Sequence, residues 1–279
     1  MEQLFTPTDS MSLPSDAQIA GMSEDEYQEW VCARENARHV VRKRDYGIDC
    51  PLCGNKGVVF VWDRKLQTRV TRTCECAQMR DTMRRMEESG VCDDWQSKTF
   101  EAFRAKEGWQ AKLKTRIRQY ADDPDRDWLL VTGQSGCGKT HLCTAAFAQL
   151  VRSGIPGRYV CWLDLMQKLD ALYYNSEKFD IAVRPLMTCR LLYLDDLFKT
   201  RGGAEVGNRA FDNALRILDA RYKSPNLLTI LSTELSLDQI VRMDEALGGR
   251  IRERCGSYIV QIEKKDGRNY RLRKRGSNG

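Results

Sequence analysis

Gly133-Gln134-Ser135-Gly136-Cys137-Gly138-Lys139-Thr140 is the stretch whose reading decides the fold. Four residues separate Gly133 from Gly138-Lys139-Thr140, the spacing of a phosphate loop. Ahead of it, Trp128-Leu129-Leu130-Val131-Thr132 is a short apolar run of strand type. Behind it, His141 to Val151 is expected to be helical, with Leu142, Ala145, Ala146, Gln149 and Leu150 at helical intervals. In a strand–loop–helix context the glycines let successive N–H groups turn toward phosphate oxygens, and the helix N-terminus adds partial positive charge. Lys139 is expected to reach the β- and γ-phosphates, the Thr140 hydroxyl to ligate Mg²⁺, and Gln134 to Cys137 with His141 to line the nucleotide.

A chain of 279 residues, 42% hydrophobic and 30% charged, suits one sizeable domain and a smaller one. No apolar run approaches the ~20 residues of a membrane span. Met1-Glu2-Gln3-Leu4-Phe5 lacks the layout of a signal peptide, which points to the cytoplasm and to no membrane partner. Eleven cysteines in a reducing compartment are expected as thiols or metal ligands. The net charge of +6 is uneven: residues 1–33 hold seven carboxylates and no Lys or Arg. The basic excess lies at Arg64–Arg85, Lys98–Arg118 and Arg268–Arg275, compatible with nucleic acid without requiring it.

Residues 1–22 have no apolar period and are expected to form a mobile leader. Ser23-Glu24-Asp25-Glu26 spells a capping box for a helix with Tyr27, Trp30, Val31, Ala37, Val40 and Val41 on one face and Gly47 as its stop. That helix could dock a partner protein or pack on its own domain. Next come Cys50-Pro51-Leu52-Cys53 and Cys74-Glu75-Cys76, flanking two expected strands, Val58–Trp62 and Arg69–Thr73. A hairpin brings both cysteine pairs to one end, where four thiolates suit a tetrahedral Zn²⁺. Unliganded or redox-active thiols are the alternative. A segment this small buries little apolar surface, which favours a metal staple. Ala77–Ser89 is expected to be a helix ending at Gly90, with Met79, Met83 and Met86 on one face. A connector over 92–108 is anchored by Phe100 and Phe103, and Trp109, Leu113, Ile117 and Tyr120 mark a further helix.

Beyond the loop, strand and helix alternate: strand Arg158–Leu163, helix Leu165–Asn175, strand Arg190–Asp196, helix Val206–Tyr222, strand Leu227–Leu231, helix Leu237–Cys255 and strand Ser257–Ile262. Five strands with crossover helices predict one parallel sheet covered on both faces, an α/β fold with its ligand at the strands' carboxyl ends.

Leu191-Leu192-Tyr193-Leu194-Asp195-Asp196 has the form of a Walker B strand, in which an apolar strand carries two carboxylates to the working edge. Asp195 is expected to hold Mg²⁺ through its water shell, and Asp196 to orient the attacking water. Ser232-Thr233-Glu234 closes the next strand, and a polar side chain there could sense the γ-phosphate; Thr233 is preferred, with Ser232 and Glu234 equally placed by sequence. In Gly248-Gly249-Arg250-Ile251-Arg252-Glu253-Arg254, Arg250 and Arg254 lie one turn apart on a helix face. They could act as an arginine finger in a neighbouring subunit or form a solvated basic helix end.

With these residues in hand, the chain resembles the DnaC/DnaI/IstB group of AAA+ ATPases, nearest to phage-type DnaC-like replication proteins. The resemblance is carried by Gly133–Thr140 with His141, by residues 192–199 and by residues 243–251, and covers roughly Cys50 to Arg271. It implies an AAA+ P-loop domain without the helical lid, since little chain follows the last strand. It also implies an ATPase that loads a DnaB-like replicative helicase onto single-stranded DNA and self-associates as a ring or spiral. The setting would be the cytoplasm of a bacterium, with a bacterial or phage gene. By motif position Lys139, Thr140, Asp195 and Asp196 carry over, then Arg254 as finger with Arg250 second, and Arg271 as a second sensor. Lys199 and Arg201, beside Gly202-Gly203, are the expected DNA-facing element. Two other functions stay open: an IstB-like transposition helper, which the zinc module disfavours, and a nucleotide-switched DNA-binding adaptor whose hydrolysis is incidental. The expected segments are 1–49 (leader and helix), 50–90 (zinc-ribbon-like module), 91–124 (connector), 125–263 (ATPase domain) and 264–279 (basic tail).

Overall fold

The computed structural model describes residues 21–42, 46–88, 95–124, 127–263, 265, 268 and 269. Most of the expected leader, the Gly90 stop, Arg271 and most of the basic tail lie outside them. The chain divides into two compact units, Met1–Asp81 and Thr82–Gly279.

In the first unit, α1 (Glu24–Ala37) starts at the anticipated capping box: Ser23 N–H donates to Glu26 Oε2 at 2.8 Å and Glu26 N–H to Ser23 Oγ at 3.3 Å. The helix packs on a hairpin of β1 (Val58–Asp63) and β2 (Thr68–Thr73), antiparallel with Val58 opposite Thr73. Asn36 bonds Phe60 twice, its Nδ2 to the carbonyl at 2.9 Å and its Oδ1 from the N–H at 2.8 Å. Trp62 Nε1 donates to Asp25 at 2.7 Å, and Arg64 pairs with Glu29 at 2.7 Å. The helix thus packs on its own module through Asn36 and Asp25.

The helix does not run on to Gly47. Arg38 turns extended, and the Lys56 ammonium collects the carbonyls of Asn36 (3.2 Å) and Arg38, so that the helix end is capped by a side chain. Val40 and Val41, expected on the helical face, are exposed instead. The next helix, α2 (Glu75–Glu88), contains the division between the units, and its Met79 and Met83 are buried.

The second unit holds a five-stranded parallel sheet in the order β4-β5-β6-β3-β7. After α3 (Gly108–Asp122) come β3 (Trp128–Thr132), α4 (Lys139–Arg152), β4 (Gly157–Cys161), α5 (Trp162–Ala171) and α6 (Ser176–Thr188). They are followed by β5 (Leu191–Leu197), α7 (Asn208–Tyr222), β6 (Leu228–Thr233), α8 (Leu237–Met243), α9 (Glu245–Cys255) and β7 (Ile259–Gln261). Central strands covered on both faces need continuous apolar runs, and Leu129–Val131, Leu191–Leu194 and Ile230–Leu231 are wholly buried.

Strand β6 lies between β5 and β3, so the acids of β5 are one strand removed from the phosphate-loop strand. Three expectations need correction. The strand expected over 158–163 ends at Cys161, since Trp162 already starts α5 and packs edge-on against Phe198 at 5.7 Å. Helix α6 was not anticipated; Asn175 caps it, accepting from Lys178 N–H at 3.0 Å, and it tolerates an interior Pro185. The helix expected over 237–255 is two, because Asp244 leaves helical geometry to cap α9, its carboxylate accepting from Leu247 N–H at 2.7 Å.

Candidate functional site

The loop from Gly133 to Gly138 joins the carboxyl end of β3 to the first turn of α4. Gly133 and Gly138 have φ values of 147° and 100°, conformations that glycine adopts freely and other residues do not. A Cβ at Gly133 would stand 2.7 Å from that of Ile262, and one at Gly138 would stand 2.7 Å from the Phe103 ring. Both glycines are thus required by backbone shape and by close neighbours. The Phe103 ring also meets His141 edge-on at 5.3 Å, and His141 Nε2 lies 2.8 Å from the Thr99 carbonyl. The connector anchored by Phe100 and Phe103 therefore lies against the N-terminus of α4. Lys139 is buried, its ammonium donating to the carbonyls of Gly133 (2.7 Å) and Gln134 (3.0 Å), and Gln134 Oε1 accepts from Lys265 N–H at 2.8 Å. Burial pushes the Cys137 thiol up, leaving it a neutral filler beneath the loop.

Across from the loop, β5 delivers Asp195, which is 2% exposed and bound by four hydroxyls. Its Oδ1 accepts from Tyr193 at 2.7 Å, from Thr140 at 3.2 Å and, through a short bond, from Ser232. Its Oδ2 accepts from Tyr159 at 3.1 Å. Burial drives the Tyr193 phenol well above its usual range, so it serves as a fixed donor. Thr140 and Asp195, far apart in sequence, thus meet as a hydroxyl and a carboxylate. Two hard oxygens at the mouth of a phosphate loop are a donor set that fits Mg²⁺. Sequence reasoning missed the tyrosines; Tyr193, two residues before Asp195 and so on the same strand face, carried a legible signal.

Asp196 sits at φ +56° where the β5–β6 register shifts, and Phe198 at φ +64°. Left-handed backbone at a non-glycine residue is held only where its surroundings fix it. Here the Asp196 N–H donates to Ser232 Oγ at 3.0 Å, and its carboxylate accepts from Lys199 at 2.6 Å. Lys199 also pairs with Glu234 at 3.7 Å. Ser232 therefore joins the two acids, one by its hydroxyl proton and one by its oxygen. The Thr233 hydroxyl is directed to the backbone, donating to the Leu197 carbonyl at 2.7 Å and accepting from Leu235 N–H at 3.2 Å. Lys199 lies among the acids, and Arg201 is exposed in the turn that follows.

Arg250 and Arg254 are not gathered at this mouth. Arg250 pairs with Asp219 at 3.2 Å, and Arg254 lies over the Trp128 ring at 5.6 Å with its Nη2 donating to the Pro225 carbonyl at 3.3 Å. Trp128 opens β3 and Gly133 follows its close, about 16 Å along the strand. Both arginines belong to the opposite edge of their own sheet.

The first unit carries the second cluster. The sulfurs of Cys50, Cys53, Cys74 and Cys76 all lie within 4.8 Å of one another. Cys50 and Cys74 approach to 3.7 Å, Cys53 and Cys76 to 3.4 Å. Four thiolates around Zn²⁺ at ~2.3 Å stand about 3.8 Å apart, so the set fits tetrahedral zinc with no position left for water. Burial opposes the Cys53 thiolate, but the Gly57 N–H and the neighbouring thiols outweigh it and lower its pKa. Burial pushes Cys76 up to about 11 and Cys74 higher still.

A parallel sheet with β6 between the loop strand and the acid strand, and Thr140 facing Asp195 across it, defines an AAA+ type P-loop ATPase. Residues 64–278 match the family model described as IstB-like ATP binding protein, and the chain belongs to that family. It is 29% identical to the phage-like element PBSX protein XkdC of Bacillus subtilis (strain 168) over 226 residues, 77% of this chain and 82% of that protein. Its fold is similar to domain III of the Thermotoga maritima replication initiation protein DnaA, with TM-score 0.50 at 15% identity, covering 61% of this chain and 68% of that one. A structure of the DnaC helicase loader aligns with TM-score 0.47 at 23% identity, covering 61% of this chain and 98% of that one. Longer DnaA chains are matched over 50–51% of their length. Among the described residues no helix is long and apolar enough to cross a membrane.

Proposed function

We propose that the protein is a cytoplasmic, ATP-dependent loader of a replicative helicase onto single-stranded DNA. The observation that carries the reading is the 3.2 Å contact of Thr140 with Asp195 beside a phosphate loop whose positive-φ positions are all glycine. In the proposed reaction the oxygen of a water bonds to the γ-phosphorus as the β–γ bridging P–O bond breaks, releasing ADP and inorganic phosphate. Thr140 and Asp195 would hold Mg²⁺, which would supply positive charge to offset that of the phosphates. Lys139 would exchange its loop carbonyls for phosphate oxygens, and the loop N–H groups would cradle the rest. Asp196 orients the attacking water and takes up its proton, with Ser232 holding the strained backbone that aims it.

Placement of Arg250 and Arg254 at the far edge of the sheet supports a role in a neighbouring subunit's site, which requires a ring or spiral of copies. In the first unit Cys50, Cys53, Cys74 and Cys76 hold a structural zinc that staples a module too small to bury a large core. The helicase role draws on the motifs at 133–141, 192–199 and 243–251. The family's own description favours one other reading, an IstB-like helper of transposition.

The test is transfer of the host's replicative helicase onto circular single-stranded DNA by the native chain and by Asp196→Asn. ATP-dependent loading that the variant loses supports the loader. Full loading by a variant that binds but does not cleave ATP would leave a nucleotide-switched adaptor. Retention of a transposase in place of a helicase would favour the transposition helper.

A further inference from the structure

Arg80 stands one helical turn beyond Cys76 on α2 and is 7% exposed. Its Nη1 donates to Cys76 Sγ at 3.0 Å, and its Nη2 donates to the Ile48 carbonyl at 2.7 Å and to Asn55 Oδ1 at 2.8 Å. These acceptors are a sulfur, a peptide oxygen and an amide oxygen; none is a carboxylate. A guanidinium withdrawn from water needs a counter-charge, and among the described residues the one charged-when-ionised group it bonds is a cysteine.

The same contacts tie the cluster together. Asn55 Oδ1 accepts from Cys50 N–H at 2.8 Å as well as from Arg80, so one amide oxygen connects the first pair to the residue that grips the second. Ile48, the other acceptor, lies two residues before Cys50. The other cations of this knuckle bond backbone oxygens: the Lys56 ammonium the carbonyls of Cys53 (3.0 Å) and Asn36 (3.2 Å), and the Arg42 guanidinium those of Asn55 (2.5 Å) and Lys56 (2.6 Å). The Gly57 N–H reaches Cys53 Sγ at 3.3 Å and adds a dipole without a full charge.

A zinc ion bound by four thiolates carries two net negative charges, here with Cys53, Cys74 and Cys76 buried and Cys50 half-buried. We propose that Arg80 is the charge-balancing and positioning residue of this zinc centre. It neutralises one of those charges, holds Cys76 in ligand geometry, and locks the second cysteine pair to the loop that bears the first. The proposal rests on the zinc reading given under Proposed function, and it makes the arginine as much a part of the centre as its ligands, as outer-shell partners of metal sites commonly are.

The experiment is competition for zinc between the full chain and a chromophoric chelator, run on the native protein, Arg80→Gln and Arg80→Lys, with the sulfur-to-cobalt charge-transfer band of the Co²⁺-loaded forms as a second readout. The native chain should hold one zinc. Arg80→Gln should bind it about 10–100-fold more weakly and show an altered cobalt band, and Arg80→Lys, which keeps the charge, should lose less. Arg80→Gln within about threefold of native would overturn the proposal while leaving the zinc reading intact. Equal losses in both variants would overturn it too, since they would reflect packing and not charge. A native chain that takes up no zinc would remove the zinc reading itself, and the proposal with it. Should Arg80→Gln fail to fold in excess zinc, Arg80→Lys decides: zinc release faster than native by less than about tenfold supports the proposal, whereas native-rate release or no bound zinc contradicts it.

Discussion

Ser232 links the two acids of the nucleotide site, donating to Asp195 and accepting from the strained N–H of Asp196. Ser232→Ala should leave nucleotide affinity within a few-fold of native and lower ATP turnover by about tenfold, the scale on which positioned polar groups contribute. Steady-state hydrolysis measured beside equilibrium nucleotide binding checks this; unchanged turnover would show that the bridge is dispensable. At this scale the candidate residues that the fold brings together had a local signal, Gly133, Lys139 and Thr140 in the loop spacing and Asp195 and Asp196 in the apolar strand ahead of them. The partners were not. Whether Ser232 or Thr233 faces the acids depends on strand register, since successive side chains point to opposite faces and a shift of one residue exchanges them. Phe103 against Gly138 joins residues that no local pattern connects.

Among the elements, the edge where α6, α7 and β6 meet is fastened by Arg221, which is wholly buried. Its guanidinium donates to the carbonyls of Leu186 (2.9 Å), Cys189 (2.9 Å) and Leu228 (2.6 Å) and to Thr229 Oγ1 (2.9 Å). Burial lowers its pKa, yet with carbonyls on every side it functions as a cationic clasp. Arg221→Ala would orphan these acceptors at ~1–3 kcal/mol each, so a loss of roughly 3 kcal/mol or more is expected in denaturant unfolding; a loss below about 1 kcal/mol would contradict the clasp. This contact explains how α6 was hidden in the sequence. Pro185 reads as a breaker, and the tertiary bonds that hold the segment come from distant residues. Asp244 misled in the other direction, since an acid amid helix formers does not announce that it will leave the helix and cap the next one. On α9, Arg254→Ala should spare ATP binding and reduce turnover only in the assembled state. Full-rate hydrolysis by monomers of that variant would remove the arginine from the reaction.

For the whole molecule, the two units carry separate chemistry. Cys53→Ser should abolish stoichiometric zinc, read by metal analysis of the purified chain, and lower the stability of the first unit; about one zinc per chain in the variant would contradict a four-thiolate centre. The architecture at this scale was the most legible part, because βα alternation, apolar strands and the position of the glycine loop all specify one parallel sheet. Strand order was less so. Nothing in the pattern of hydrophobic residues dictates that β6 lies between β3 and β5, yet that insertion brings Ser232 between the loop and the acids. The central claim is that ATP is held by the loop of Gly133–Thr140, with Lys139 on its phosphates. Equilibrium binding of ATP with Mg²⁺ to the native chain and to Lys139→Ala tests it most directly. The account predicts saturable binding by the native chain and its loss, by ~100-fold or more, in a variant whose circular dichroism and unfolding transition stay native-like, since a buried charge-assisted phosphate contact is worth several kcal/mol; retention of native affinity by Lys139→Ala would contradict it.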